Sequence, residues 1–332
     1  MMMTACDDGR RRVYEIGDKG ESWTEAFGTL SRVWGNPKGE NVKRVRSGFI
    51  TATIEESEVM LVTLPVYPKD KGDNGKDEFH LWLTDNTHIS GIGPVSCDDD
   101  AAASSLLYKS GNNDELIVLY EKKKDSTDKP SPGMVSVLLK KELKRVKDVL
   151  TTWKKVDDRV SQLCPPTSAT QGTSTDNACT DKITNGLVGF LSGNFSDGTW
   201  RDEYLGVNAT VTGAAEATRT PDGVTFTGRG AWAEWPVGSQ GPNQLYHFAN
   251  YNFTLVATVS FRNVLEEGNI PLMGVRLNGN GGSKSLELSY NQGGKWAVVC
   301  SGQATPEQKG GWEPDTKYQV AIVLQNSSQG SA

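Results

Sequence analysis

Long apolar runs are missing from this chain: no stretch of about 18 apolar residues occurs, so no segment reads as a membrane-spanning helix. A basic excess is missing too. The 35 Lys and Arg stand against 41 Asp and Glu, a net charge of −6, which argues against nucleic acid as a partner. Histidine is scarce. His80, His88 and His247 are far apart, with no acidic or Cys partner at ligand spacing, so each reads as surface or core packing and no metal is expected. Asp98-Asp99-Asp100 lacks the alternating spacing and the Gly of a calcium loop and reads as a solvated turn. No cofactor is implied. The N-terminus shows no signal peptide: Met1 to Cys6 is apolar but short, and Asp7-Asp8 follows at once. It reads as an interior strand, and the C-terminal residues from Gln325 stop just after another. A fragment at both ends is the expectation.

Glycine and tryptophan are plentiful, with 36 Gly and nine Trp, which favours turn-rich β structure over a helical bundle. Residues 1–138 read as short strands between polar turns, among them Phe49–Ile54, Val59–Leu64, Phe79–Thr84 and Leu116–Tyr120. Such spacing suits propeller blades or a sandwich. Within this region Asp18-Lys19-Gly20-Glu21-Ser22-Trp23 has the makings of a tight hairpin turn. The Asp side chain bonds turn N–H groups, Gly supplies a positive φ, and Trp23 is expected to plug between neighbouring sheets. The pattern fits either an ordinary hairpin or a propeller blade.

The period then changes. Leu139, Leu143, Val146, Leu150, Trp153, Val156, Val160 and Leu163 fall three or four apart, which predicts one long helix over 139–163 with a single apolar stripe. Eight Lys/Arg against four Asp/Glu make its other face basic. That face reads as a solvated surface on a helix packed against a β domain, with a membrane-surface or heparin role as the alternative. Residues 164–182 are a Ser/Thr-rich linker bracketed by Cys164 and Cys179. These two Cys flank a loop of 14 residues, suited to a disulfide staple. Such a bond contributes about 3 kcal/mol by loop-closure arguments. The chain has five Cys, so at least one stays unpaired. Residues 183–332 turn back to β, with strands expected at Leu187–Leu191, Thr254–Val259, Leu286–Tyr290 and Tyr318–Leu324. A two-sheet jelly roll of lectin type is the natural architecture. N-glycosylation sequons at Asn194, Asn208, Asn252 and Asn326 all lie in this half and point to secretory-pathway passage.

Asp18, Gly20 and Trp23 match the turn called the Asp box in sialidase-type propellers. With Arg10–Glu15, Gly28–Gly35, Leu81–Asn86, Gly186–Ser192 and Tyr246–Ala257, they make the whole chain closely resemble the trypanosome trans-sialidase superfamily of surface glycoproteins. The resemblance implies a mainly β fold. It comprises the C-terminal blades of a six-bladed sialidase propeller (1–138), a connecting helix (139–163), the linker, and an incomplete concanavalin A- or laminin-G-like lectin domain (183–332). It also implies a surface or secreted protein, with the anchor signal outside this chain and no transmembrane segment within it.

Sialidases of this family retain configuration through a Tyr nucleophile. By the resemblance, that Tyr belongs just before Ser104-Ser105, where this chain has Ala103. Tyr108 matches a different, structural Tyr. One carboxylate-binding Arg belongs near Cys6 and another near Lys76, and the aromatic wall for an acceptor galactose belongs near Asn74. Lys offers charge there but no planar bidentate fork. Losing the nucleophile alone removes orders of magnitude in rate. The expectation is therefore a catalytically inactive member acting in adhesion to host-cell glycans (sialyl or β-galactosyl) or to extracellular matrix proteins. An active exo-α-sialidase or trans-sialidase, and a truncated product without independent function, are the alternatives. Trp232, Trp235, Tyr246 and Tyr251 could stack on a sugar, although core packing is the stronger reading.

Overall fold

The computed structural model describes residues 1–5, 10–26, 30–34, 47–66, 78–96, 99, 101–122, 133–163, 184–227, 230–236, 246, 252–262, 269–277, 284–291, 295–300, 303–304, 308–309 and 313–324. Two compact units divide the chain, residues 1–247 and residues 248–332. The fold is mainly β with one long helix.

Three antiparallel sheets open the first unit. β1 (Met2–Ala5), β2 (Arg11–Glu15) and β3 (Thr24–Glu25) form the first. β4 (Phe49–Ile54), β5 (Ser57–Val66), β6 (Glu78–Thr84) and β7 (Ile89–Pro94) form a four-stranded meander. β8 (Ala101–Lys109), β9 (Glu115–Lys122) and β10 (Gly133–Leu138) form the third, with β9 central. β5 is apolar on both faces, and Val59, Met60, Leu61, Val62 and Leu64 are all buried. That pattern belongs to a strand covered on both sides. Beside it on β6, Trp82 meets Trp34 edge-on at 6.3 Å. From the other face, Leu61, Phe79, Leu81 and Leu83 join Leu106, Leu116, Val118 and Tyr120 of the third sheet in one core. The Thr63 hydroxyl bridges the two sheets, bonded to Gly48 and lying 2.8 Å from Ser104 Oγ.

Helix α1 (Lys140–Ser161) follows β10 directly, and the Leu139 N–H donates to Leu116 O at 2.8 Å. Its stripe of Leu143, Val146, Val149, Leu150, Trp153, Val156 and Val160 is buried in the same core. Leu163 departs from the expected stripe and is 60% exposed. The helix ends at Ser161, and the Leu163 N–H turns back to Val160 O, which carries the side chain off the buried face. Part of the basic face is engaged: Lys147 pairs with Asp114 at 2.8 Å and Glu55 at 3.0 Å, and Lys154 donates to the Glu55 carbonyl.

The rest of the first unit is built from β11 (Leu191–Ser196), β12 (Thr199–Asp202), β13 (Ala209–Thr212), a 3-10 turn at Ala214–Glu216, β14 (Ala217–Arg219), β15 (Val224–Phe226) and β16 (Trp232–Glu234). β11, β12, β13 and β16 make one sheet, and β14–β15 is a separate hairpin. The strand expected at Leu187–Leu191 starts only at Leu191. Before it, the Phe190 N–H donates to the Asp202 side chain rather than to a ladder.

In the second unit β17 (Phe253–Val259) pairs along its whole length with the last strand, β23 (Tyr318–Leu324). Between them β18 (Asn269–Leu277), β19 (Lys284–Asn291), β20 (Lys295–Cys300), β21 (Gln303–Ala304) and β22 (Gln308–Lys309) form a five-stranded sheet. Tyr290 stacks on Phe261 at 5.8 Å and meets Trp296 at 5.3 Å.

Gly193 on β11 marks the tightest approach in the first unit. A Cβ there would lie 2.6 Å from Thr220 O and collide with the Pro221 carbonyl as well. Both are backbone atoms of the β14–β15 turn, which cannot rotate away. Gly193→Ala is expected to destabilise the first unit by about 2 kcal/mol through overpacking. Urea unfolding checks this, and an unchanged midpoint would mean that the hairpin sits further from β11.

Candidate functional site

The Asp box forms as the residue types require. Asp18 Oδ1 accepts the N–H groups of Glu21 and Ser22, each at 3.0 Å, and Oδ2 accepts the Ser22 hydroxyl at 2.5 Å. The Ser22 hydroxyl first, and then its N–H, hold the Asp18 carboxyl below the usual carboxylate range. Lys19 at φ 61° and Gly20 at φ 108° take the left-handed conformation that the turn needs. Trp23 does not plug between sheets. It is 47% exposed, because it precedes the two-residue strand β3 instead of lying within a ladder.

Ala103 sits on a β-bulge. The β8–β9 register jumps from Ala101↔Lys122 to Ser104↔Tyr120, so two residues of β8 lie between partners that have only one between them on β9. A bulge at this place re-aims a side chain away from the ladder. Here the side chain is a methyl. The neighbouring Tyr120 phenol is committed: it donates to Asp99 Oδ2 at 2.7 Å and lies 3.1 Å from Ser96 O. Asp99 in turn pairs with Lys122. Tyr108 is half-buried, and burial first, then the charge of Asp114, pushes its phenol up. Ser104 meets Thr63, three residues before the end of β5, where the connection carrying Asn74 and Lys76 begins. Cys6, Asn74, Lys76, Cys97, Cys164, Cys179, Asn326, His247 and Tyr251 lie outside the described residues. Cys300 is an exposed free thiol on β20.

A polar junction that the sequence did not reveal joins the blades, the helix and the β11–β16 sheet. Asp202 is buried, with four donors on its carboxylate. Oδ1 accepts the N–H of Phe190 at 2.8 Å and of Tyr204 at 3.2 Å. Oδ2 accepts the N–H of Gly206 at 3.1 Å and the Tyr246 phenol at 3.2 Å. Burial pushes this carboxyl up, and those hydrogen bonds offset part of the rise. Tyr204 carries the junction to α1: its carbonyl accepts Trp153 Nε1 at 2.8 Å and its phenol donates to Asp157 at 2.6 Å. Burial first, then Asp157 for Tyr204 and Asp202 for Tyr246, pushes both phenols well above the ordinary range. They are structural donors. Arg159 adds a contact to Ser192 Oγ at 2.8 Å, pairs with Glu203 at 3.2 Å, and lies over the Phe190 ring at 5.2 Å.

Of the four aromatic candidates for sugar stacking, Tyr246 and Trp235 belong to this core. Trp235 Nε1 donates to Val207 O at 2.6 Å, and its ring meets Tyr246 edge-on at 6.2 Å. Trp232, opposite Thr212, is 45% exposed. Asn194, Asn208 and Asn252 are all exposed, and Asn208 Oδ1 accepts the Asp202 N–H at 3.0 Å. Among the described residues no cluster of three or more potential metal ligands occurs, and no helix is long and apolar enough to cross a membrane.

Stacked antiparallel sheets with an Asp-box turn, joined through a helix to a second β region, define a sialidase-like propeller segment with a lectin-like partner. Comparison with known proteins agrees. A BNR repeat-like domain model matches residues 1–121, and a model described as the trans-sialidase C-terminal domain matches residues 183–332. The chain is 35% identical over 327 residues to a Trypanosoma cruzi sialidase, of which it covers 27%, with 97% of this chain in the match. It is 34% identical to sialidase 85-1.1 of the same organism, covering 98% of this chain and 40% of that protein. With sialidase 85-1.3 it shares 33% identity over 37% of this chain and 69% of the relative. Among solved structures, Trypanosoma rangeli sialidase with the inhibitor DANA superposes with a TM-score of 0.77 at 36% identity, over 98% of this chain and 49% of that one. The same enzyme with sialic acid gives 0.78 at 38%, over 96% and 48%. This chain belongs to the trans-sialidase family. It spans less than half the length of the first two relatives and about half of the solved structures.

Asp202→Ala is expected to cost about 3 kcal/mol, since it strands three buried N–H groups and a phenol together. Asp202→Asn, which keeps one acceptor oxygen, costs less. A carboxyl raised on folding holds its proton more tightly folded, so the wild-type share of stability falls as pH rises through the folded value. Denaturant unfolding of the two variants checks the order, and equal stabilities would show that the carboxylate is not the organising acceptor.

Proposed function

We propose that this chain is a non-catalytic member of the family that acts in adhesion, binding sialyl or β-galactosyl glycans. The observation that carries the reading is Ala103. By the resemblance the nucleophilic Tyr belongs at this β8 bulge, next to Ser104-Ser105, where the chain carries a methyl group, and the phenol of Tyr120, the partner of Ser104, is tied to Asp99. A methyl cannot attack an anomeric carbon. Cys6 and Lys76 at the carboxylate-binding positions, and Asn74 at the acceptor wall, support the same reading. Exposed Trp232 supplies an aromatic face of the kind that stacks on a pyranose ring. Exposed sequons at Asn194, Asn208 and Asn252 favour a glycosylated surface or secreted protein. Matrix proteins are a second partner class.

A second reading, an active sialidase or trans-sialidase, draws on the solved relatives, which are sialidases bound to sialic acid and an inhibitor. A third, a truncated product without independent function, draws on the outer face of β8–β9–β10, where Leu107, Leu119, Met134 and Leu138 are exposed. Such a face promotes association.

The purified glycosylated chain is expected to release no fluorophore from a 4-methylumbelliferyl sialoside above the blank, and measurable turnover would restore the enzyme reading. On arrays of sialylated and β-galactosylated glycans, monodisperse protein is expected to bind saturably. Trp232→Ala should weaken that binding about tenfold with unfolding unchanged, the loss of roughly one stacking contact. Aggregation on light scattering without binding would favour the truncated product.

A further inference from the structure

His88 stands where three parts of the first unit meet. Its ring is 6% exposed in the hairpin between β6 and β7, lies flat on Tyr204 at 4.1 Å, and is 5.2 Å from Trp153 of α1. Nδ1 is 3.0 Å from Asp85 Oδ2, and Nε2 is 2.9 Å from the Leu187 carbonyl. Asp85 is fixed by its own hairpin, with Oδ1 accepting the N–H groups of Thr87 at 2.9 Å and His88 at 2.6 Å. Both ring nitrogens therefore face oxygens that only accept. A neutral imidazole has one N–H and leaves a lone pair against the other oxygen, whereas the imidazolium satisfies both.

We propose that His88 is a protonation-dependent latch joining the β6–β7 hairpin to the backbone at Leu187, closed when an imidazolium faces ionised Asp85. The surrounding groups favour it. From α1, Asp157 accepts the Tyr204 phenol at 2.6 Å, and from β12, Asp202 accepts the Tyr204 N–H, so two further carboxyl groups hold the stacked Tyr204 and its phenol is a donor. The Tyr204 and Trp153 rings add aromatic faces that favour a cation. Burial pushes the Asp85 carboxyl up, but the hydrogen bond and charge of His88, with the two N–H groups, outweigh it and hold the carboxyl below the usual range.

The signs of the two halves differ. A depressed Asp85 contributes stability that is full above the ordinary aspartate range and is lost as pH falls through its folded value. The His88 half is present while the ring is protonated and is lost as pH rises and the proton leaves. The latch thus has an acid limb set by Asp85 and an alkaline limb set by His88, independent of any catalytic activity.

Hydrogen exchange on the intact chain, read at peptides covering residues 184–191 and corrected for intrinsic base catalysis, tests this. Between pH 5.5 and 8, wild-type protection is expected to fall about fivefold, the worth of one lost hydrogen bond. His88→Gln, which cannot titrate, should show a flat corrected profile. Asp85→Asn should lower protection at the acid end and shrink the pH dependence. A flat wild-type profile, or the same slope in His88→Gln, overturns the proposal. Should His88→Gln fail to fold, the ring nitrogen shifts of wild-type His88 decide by NMR: a neutral tautomer where protection is highest overturns the latch.

Discussion

A buried carboxylate must find its donors within the protein, and Asp202 satisfies that requirement by drawing together three N–H groups from two backbone segments and the phenol of Tyr246. The segment before β11, the turn after β12 and Tyr246 near the end of the first unit are held by one side chain. Gly206 lies against Asp202 Oδ2 and the Tyr246 hydroxyl, where a Cβ would be only 2.6 and 2.9 Å away, so the arrangement leaves no room for a larger residue. Tyr204 follows from it. Once its N–H is on Asp202, its ring meets His88 and its phenol reaches Asp157, and the β11–β16 sheet is fixed to the helix and the blade.

The helix is the intermediary. Its apolar stripe completes the core of the β4–β7 and β8–β10 sheets, while the Trp153 indole N–H, Asp157 and Arg159 bind Tyr204, Ser192 and Glu203. Pairing and hydrogen bonding thus orient what hydrophobic burial has already brought close. The division of labour bears on function. The β8 bulge that could aim a nucleophile is kept in shape by Thr63 and Ser104 and by the Tyr120–Asp99 pair, none of which depends on what residue 103 is. The fold persists whether or not the chemistry does.

Much of this was legible in the sequence because it is periodic. β4 and β23 occupy their expected residues, and the helix has its expected face apart from Val149, gained, and Leu163, lost at the helix end. The Asp box was legible because an Asp to accept turn N–H groups and a Gly to supply positive φ stand at fixed offsets, although the part played by the Ser22 hydroxyl was not. The environment of Trp23 was not, since a local pattern does not report what stands above it. His88 packs in the core as its isolation from other ligand-type residues suggests, but its hydrogen-bond partners are not legible in the chain. Its partners Leu187 and Tyr204 are about 100 residues away, and the Asp85 carboxyl three residues before it meets its Nδ1 through the turn of the hairpin.

What the sequence alone determined is the set of local outcomes: strands from alternation, one helix from a three-and-four period, the turn at Asp18, and the identity of residue 103. Those depend on neighbours within a few positions. What only the tertiary structure decided is which polar groups meet: Asp202 with Phe190 and Tyr246, His88 with Leu187, Trp153 with Tyr204. A buried polar group is tolerated only where a partner sits within hydrogen-bond reach, and that distance is set by how the sheets and helix pack, which no local pattern encodes.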